Sequence, residues 1–310
     1  MHAGTVGGAG HQQGIQRAII DEGGFVRAYR TSRGRVSAKL RVAPCLLFAD
    51  TYLMPTLRHQ CLAALATADI DAKLAATHEA LNATDVGADA ALVATVALPG
   101  RPDRPLLVSP KDVPQRSLST VPGRAALIHA LAHIEFNAVN LALDIVWRFP
   151  LMPDDFYRQW VQVASEEATH FAMLRAHLQS LGVAYGDFPA HNGLWEMAAK
   201  TQCDLLARLA LVPRTLEARG LDVSPAIRNK LLAVGDKAGA AILEVILRDE
   251  IRHVAIGNYW YRHACREQGL DPLTAYATLA ERYNAPRLRG PFNREARLAA
   301  GFEQAEIDAL

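Results

Sequence analysis

A chain of 310 residues, half of them hydrophobic and 21% charged, has the composition of a folded globular protein and not of a disordered one. Its formal net charge of +1 gives no overall attraction to nucleic acid or to an anionic membrane. Four scattered cysteines (Cys45, Cys61, Cys203, Cys265), with no Cys-x-x-Cys, argue against thiolate zinc and thioredoxin chemistry. They fit small buried thiols in a reducing cytoplasm, the expected location.

Residues 1–40 read as a flexible, basic arm. Met1–Gly14 is rich in Gly, Ala and Gln and lacks the apolar core of a signal peptide. Between Arg27 and Arg41 stand six basic residues and no acidic one, which is a solvated arm on the simpler reading and an RNA contact on the sharper one. No apolar run approaches the roughly twenty residues of a membrane helix, so no membrane partner is expected. Residues 41–122 form an N-terminal helical part and a wrap. Helical spacing of Leu and Ala predicts helices over 56–67 and 70–81, and residues 82–87 break the pattern. Residues 90–98 read as a short strand or an extended run. Pro99, Pro102, Pro105, Pro110, Pro114 and Pro122 then exclude a helix and predict an extended wrap.

Residues 123–270 read as a helical bundle. A helix over 125–149 is apolar on most faces, as a buried bundle helix must be. The next helix runs over 154–181, where Gly182 stops it. A third helix is predicted over 194–219, kinked at Pro213 and stopped by Gly220, followed by a short helix near 225–234 and a long one over 237–268. Residues 271–310 predict two or three short helices with a turn at Pro286, Gly290 and Pro291.

Two of these helices carry the same pattern. Glu166-Glu167-Ala168-Thr169-His170 and Asp249-Glu250-Ile251-Arg252-His253 each read acid, Glu, two spacers, His. A step of three residues turns about 300°, so each Glu and His share one helix face. The leading acid stands four residues before its histidine, where it can hold one imidazole nitrogen and leave the other for a metal. Glu135 lies 32 residues before Glu167, and Glu217 lies 33 before Glu250. One Glu from each of two helices plus a Glu-x-x-His from each of two others is the ligand set of dinuclear carboxylate proteins built on four-helix bundles. Glu135 sits 14 residues before the end of its predicted helix and Glu167 14 residues after Pro153, so a tight hairpin levels the two. On hairpin arithmetic alone Asp204 competes with Glu217 on the third helix; a bend at Pro213 or an irregular continuation past Gly220 restores Glu217.

A surface reading of the two Glu/His pairs has to face their apolar surroundings, Ile246, Leu247 and Val254 among them; a carboxylate and an imidazole buried there need a compensating partner. His129 and His133 turn away from Glu135 on their helix. They predict a core hydrogen bond or, for His129, support from behind a ligand. Glu244 is expected to pair with Arg248, and His191 and Asn192 to cap the third helix. Tyr157, Trp160, Trp195 and Trp260 are packing residues on the simplest reading, with one of them free to line a substrate channel.

The runs His129–Glu135, Pro189–Met197, Val212–Asp222 and Asp249–Gly257, with Gly100-Arg101-Pro102, resemble the ferritin-like superfamily, and more closely a bacterial family labelled DUF455. A more distant likeness is to the tRNA-modifying di-iron hydroxylases, whose third-helix ligand stands in a Glu-Ala-Arg run like Glu217-Ala218-Arg219. That likeness favours Glu217 over Asp204. The expectation is therefore an all-α, ferritin-like four-helix bundle holding two metal ions through Glu135, Glu167, His170, Glu217, Glu250 and His253. Glu166, Asp249 and His129 would support them from behind. Oxygen-rich ligands without thiolate point to iron, with manganese as the alternative. The implied activity is that of an O₂-dependent oxidase or hydroxylase of an unidentified small molecule. Its rivals are a ferroxidase without organic substrate and an RNA-modifying hydroxylase; the last would gather Arg27–Arg41 with Arg282, Arg287, Arg289, Arg294 and Arg297 on one face. A homodimer is compatible with all three.

Overall fold

The computed structural model describes residues 55–310 except Gln115, together with two short strands nearer the N-terminus. Those strands, β1 (Ala18–Ile20) and β2 (Val26–Ala28), pair antiparallel within an N-terminal unit distinct from the body at 55–310. Most of the predicted flexible arm, most of the basic run 27–41, and Cys45 lie outside the described residues.

The body is all-α. Helices α1 (Leu57–Ala66) and α2 (Ile70–Glu79) form a hairpin, and Asp69 caps the second by accepting the Ala72 N–H at 2.8 Å. Residues 83–120 then run without a regular strand; Leu107 bridges to Ala190 and a single 3₁₀ turn spans Pro110–Asp112. Thr120 caps α3 (Val121–Arg148), with Pro122 in the first turn where its missing N–H costs nothing. Pro150 follows its end. Asp154 and Asp155 open α4 (Asp154–Ser180), and Gly182, at φ +74°, lets the chain turn out of it. By length and mean hydropathy (1.3) α3 alone would pass for a membrane span, contrary to the reading of the sequence, but 72% of its most apolar window is buried inside the bundle.

The third helical segment differs most from expectation. It is α5 (Gly193–Lys200), a break at Asp204, α6 (Leu205–Leu211), a π-helical turn over Val212–Glu217, then α7 (Ala218–Ala233), which runs straight through Gly220 and Pro225. Gly220 does not stop it, because Leu221 is fully buried and keeps that face on the core. Pro213 has no N–H to give the α-helical ladder, and Thr215 Oγ1 turns back to Ala210 O at 2.8 Å, so the turn widens. Gly257, on α8 (Lys237–Glu267), makes room: a Cβ there would stand 2.7 Å from Pro213 Cβ.

α3 packs along α4, α4 against α8, and α8 against α6 and α7, enclosing one large apolar core. The C-terminal helices α9 (Pro272–Arg282), α10 (Arg294–Ala299) and α11 (Gln304–Asp308) fasten the widened turn from outside. Glu306 holds Arg214 of that turn at 2.6 Å and Arg262 of α8 at 2.6 Å. Arg297 is not a surface arginine; it is wholly buried on Asp222 (2.7 Å), and Arg294 pairs with Asp308. Arg297 is thereby withdrawn from any basic C-terminal face, while Arg282, Arg287 and Arg289 are exposed. Glu244 pairs with Arg228 of α7 at 2.7 Å and not with Arg248, which takes Asp249 instead. Cys61 and Cys265 are buried as expected, but Cys203 is exposed.

Two predictions follow from buried cations. Arg297→Met leaves Asp222 charged in the interior and should cost about 3–5 kcal/mol in urea unfolding, most of which the double variant Asp222→Asn/Arg297→Met should recover. Lys73 is fully buried, donating to Leu65 O (2.9 Å) and Asn140 Oδ1 (2.7 Å), and burial, aided by Arg101, pulls its pKa down to about 7. Between that value and its ordinary 10.5 the unfolded chain holds a proton the folded chain has released, so stability rises with pH across this window. Unfolding curves across the window should show that slope in the native chain and a flatter one in Lys73→Met.

Candidate metal centre

Four helical segments bring acids and imidazoles together in the bundle interior. α3 supplies Glu135, α4 supplies Glu167 and His170, α8 supplies Glu250 and His253, and the end of the π turn supplies Glu217. One oxygen each from Glu135, Glu167 and Glu250 and one ring nitrogen of His170 all lie within 4.8 Å of one another. His253 is fully buried at the same place, its Nδ1 2.9 Å from Glu167 Oε1 and 3.7 Å from Glu250 Oε1. Glu217 is outside the tight group of four. Its carboxyl nonetheless feels that group, since burial, then Glu250 and Glu167, push its pKa well above the ordinary value.

Glu167 is the centre of the arrangement. Its Oε2 meets His170 Nδ1 at 3.2 Å and its Oε1 meets His253 Nδ1 at 2.9 Å, so one carboxylate spans both imidazoles. Burial alone would raise its pKa, but the charge of His253 and the hydrogen bonds from both rings outweigh burial and hold it well below the ordinary value. His170 answers in the opposite direction: burial works against its charge, yet Glu135 and Glu167 raise its pKa to about 11. Glu135 and Glu250 are pushed upward by burial first and by Glu167 second, because they cannot share the interior with it as anions.

The outer nitrogens are held across the helix pair and not within each helix. Glu166 of α4 meets Nε2 of His253 on α8 at 2.7 Å, while Asp249 of α8 meets Nε2 of His170 on α4 at 3.1 Å. The same-helix pairing expected from the four-residue spacing is therefore replaced by an exchange. α4 and α8 face each other, and each ring reaches outward past its own helix toward the partner's acid. Arg252 and Arg248 in turn hold Glu166 and Asp249 at the surface. Both histidines thus present Nδ1 inward, with Nε2–H donating to an outer carboxylate.

Two other candidates resolve. Asp204 caps α6 by accepting the Ala207 N–H at 2.9 Å and takes the Tyr283 hydroxyl at 3.0 Å, so it is occupied elsewhere. His129 does not support the cluster either. Its Nε2 accepts the Gly186 N–H at 2.9 Å and its ring stacks on Tyr185, which is the core hydrogen bond that the sequence allows. His133 joins Tyr185 Oη at 2.8 Å. Of the pair expected to cap the third helix, His191 accepts the Gly193 N–H at 3.3 Å, while the Asn192 side chain makes no cap.

The residues suit a divalent ion. Glu250 Oε2 is buried with no hydrogen-bond partner, and Glu135 Oε2 makes no hydrogen bond and has only the His170 ring 3.3 Å away, which is costly for a carboxyl oxygen unless a cation meets it. Around them stand further carboxylate oxygens and two inward imidazole nitrogens, and no thiolate, a donor set for a hard or borderline metal. Glu135, Glu167, Glu250, His170 and His253 would hold it, with Glu217 closing the side toward α7. The orphaned oxygens and the swapped outer acids were beyond the reach of sequence, since both depend on the contact between α4 and α8.

The chain belongs to the family described as "Protein of unknown function (DUF455)", which matches residues 66–308. An uncharacterized protein of Haemophilus influenzae is 50% identical over 214 residues, covering 67% of this chain and 74% of the relative. No solved structure matches it.

Glu217→Gln should lower the metal bound per chain, measured by elemental analysis after equilibration with ferrous or manganous ion. Asp204→Ala should leave that content unchanged while costing about 1 kcal/mol in urea unfolding through its lost cap.

Proposed function

We propose that this chain is a dinuclear non-haem metal protein of the ferritin-like kind, iron being the preferred metal and manganese the alternative, which oxidises an organic substrate with dioxygen. The observation that carries this reading is the position of Glu167, one oxygen on each inward imidazole nitrogen, among two further buried carboxylates that would help hold the ions. Bound in reduced form, such a pair of ions supplies the electrons that dioxygen must accept.

The chain's own residues do the rest. Glu166 and Asp249 fix the ring planes through Nε2, so each Nδ1, whose N–H donates to Glu167, faces inward and would give up its proton to a bound ion. Glu135, Glu167, Glu217 and Glu250 together carry four negative charges when ionised, which match two divalent ions and make the filled interior neutral. Val139, Ala164, Phe171 and Ile246, all buried, belong to the apolar core of these helices and keep water from the cluster. Glu135 and Glu250, each with a buried oxygen that makes no hydrogen bond, would offer those oxygens to a bound ion.

Protein purified without oxygen should carry about two equivalents of iron or manganese per chain, and the iron form should consume O₂ and develop ferric absorption on exposure to air. Turnover that ends in an oxidised organic product supports an oxidase. Ferric iron accumulating far beyond the bound pair, with no organic product, would replace that reading with ferroxidase. A chain that retains neither metal after anaerobic loading sinks both.

A further inference from the structure

Away from the Glu/His cluster the body has a second chemically distinct place, a cavity of about 260 Å³ near the C-terminal end of α3. Asp144, on its wall, lies nine residues beyond Glu135, about 13 Å along the helix axis. No residue of the metal cluster lines it. Its other walls are α5, the first turn of α6 and the extended run 94–98.

The charge in this cavity is unbalanced. Asp144 is fully buried and already spent: it accepts from Trp147 Nε1 at 3.2 Å, from Arg148 Nε at 3.0 Å and Nη2 at 2.6 Å, and from Arg208 Nη1. Arg208 is closed on every side, its remaining donors taken by Thr201 Oγ1 and Ala198 O. Arg148 is not closed. All its recorded bonds go to Asp144 through Nε and Nη2, which leaves Nη1 for a further acceptor. Two guanidinium groups therefore line the cavity against one carboxylate. A third, Arg101, stands 5.8 Å from the ring centre of Trp195, another wall residue, and its buried Nη2 has no partner.

The rest of the lining is apolar apart from Gln202. Leu98, Trp147, Trp195, Ala198 and Ala199 surround the space, small alanines on the helix side and indoles beside the arginines. An apolar cavity of about 150 Å³ holds a benzene-sized molecule, and drug-sized ligands need upward of about 300 Å³. The volume here fits one ring with a small substituent.

We propose that this cavity is a binding site for a small apolar monocarboxylate of single-ring size, its carboxylate met by Arg148 and its ring lying between the indoles and the alanines of α5. A carboxylate supplies the charge the two arginines lack, and the apolar body suits walls that offer few hydrogen bonds. A neutral ligand would leave the surplus positive charge unanswered, and a cation would add to it. No residue of the metal cluster lines the site, although Arg208 on its wall feels the Glu217 carboxylate, and the proposal does not require the dinuclear reading.

The test is calorimetric titration of the full chain with benzoate, repeated after chelation, with benzamide as the neutral counterpart. Benzoate should bind saturably in both preparations, and benzamide at least about tenfold more weakly, having lost the charge-assisted bond. Ala199→Leu, a change at an exposed position of the wall, should abolish binding with the circular dichroism spectrum intact, and Arg148→Gln should weaken it about tenfold. The proposal is overturned by no saturable binding up to about 10 mM. Equal affinity for benzamide, native affinity in Ala199→Leu, or binding lost on chelation (which would place the carboxylate on a metal) would overturn it too.

Discussion

Everything in this bundle has to accommodate one electrostatic constraint, the meeting of the buried acids Glu135, Glu167 and Glu250, with the half-buried Glu217 beside them. Carboxylates this close in a low-dielectric core cannot all ionise unless cations of some kind stand among them. The fold meets that constraint in two layers. The inner layer is the pair of imidazoles on Glu167, which holds one of the four acids firmly ionised. The outer layer is Glu166 and Asp249, each fixed at the surface by an arginine and each reaching the histidine of the opposite helix. Because the outer acids cross over, the helices α4 and α8 cannot slide or rotate without breaking both layers. The cluster therefore sets the register of the helix pair as much as the helix pair sets the cluster.

The π turn answers the same constraint from the third side. A regular α-helix through Pro213 would place successive side chains 100° apart around its axis, and the extra residue accommodated by a π turn changes which face of α7 looks inward. Glu217 stands at the exit of that turn, where the chain resumes α-helical winding. Keeping the turn open requires Gly257 opposite Pro213 and an anchor for Arg214, which α11 provides through Glu306. The C-terminal helices, which look like peripheral additions in the sequence, thus bear on the position of a residue far from them in the chain.

What sequence could reveal, and what it could not, divides along the range of the interactions concerned. Glu167/His170 and Glu250/His253 are legible because a spacing of three residues is a local property of a helix, and the end of α3 and the boundaries of α4 and α8 are legible because caps and prolines act locally. The start of α3 was missed, since Pro122, read as part of the extended wrap, stands in its first turn. The competition between Asp204 and Glu217 was not decidable by counting, since the counting assumed a helix that stops at Gly220; the helix continues because Leu221 is buried, which is a fact about packing. The exchange of Glu166 and Asp249 was misread for a related reason. Four residues along one helix and a short gap between two helices offer the same acid an imidazole, and only the distance between α4 and α8 separates the two. Arg297 shows the limit from the other direction: in sequence it belongs to a basic C-terminal group, in the fold it is the buried partner of Asp222.

Buried charges elsewhere in the body show why the Glu/His cluster is different in kind. Asp144 is closed by Arg148 and Arg208, Asp222 by Arg297, and Glu306 by Arg214 and Arg262. Each of these acids is met by a guanidinium fork that satisfies its oxygens with charge-assisted hydrogen bonds, a solution that is permanent and leaves nothing over on the acid. The metal-centre acids have no arginine within the cluster. Their positive partners are imidazoles, whose charge can be given up, and Glu135 and Glu250 each retain an oxygen that makes no hydrogen bond. Single buried carboxylates are closed by arginine or, at Asp236, by one histidine (His177, 3.0 Å), whereas in the cluster several carboxylates converge on imidazoles, a set that could exchange protons for a metal. That difference in chemistry, more than burial itself, separates the centre from the ion pairs that merely hold the helices together.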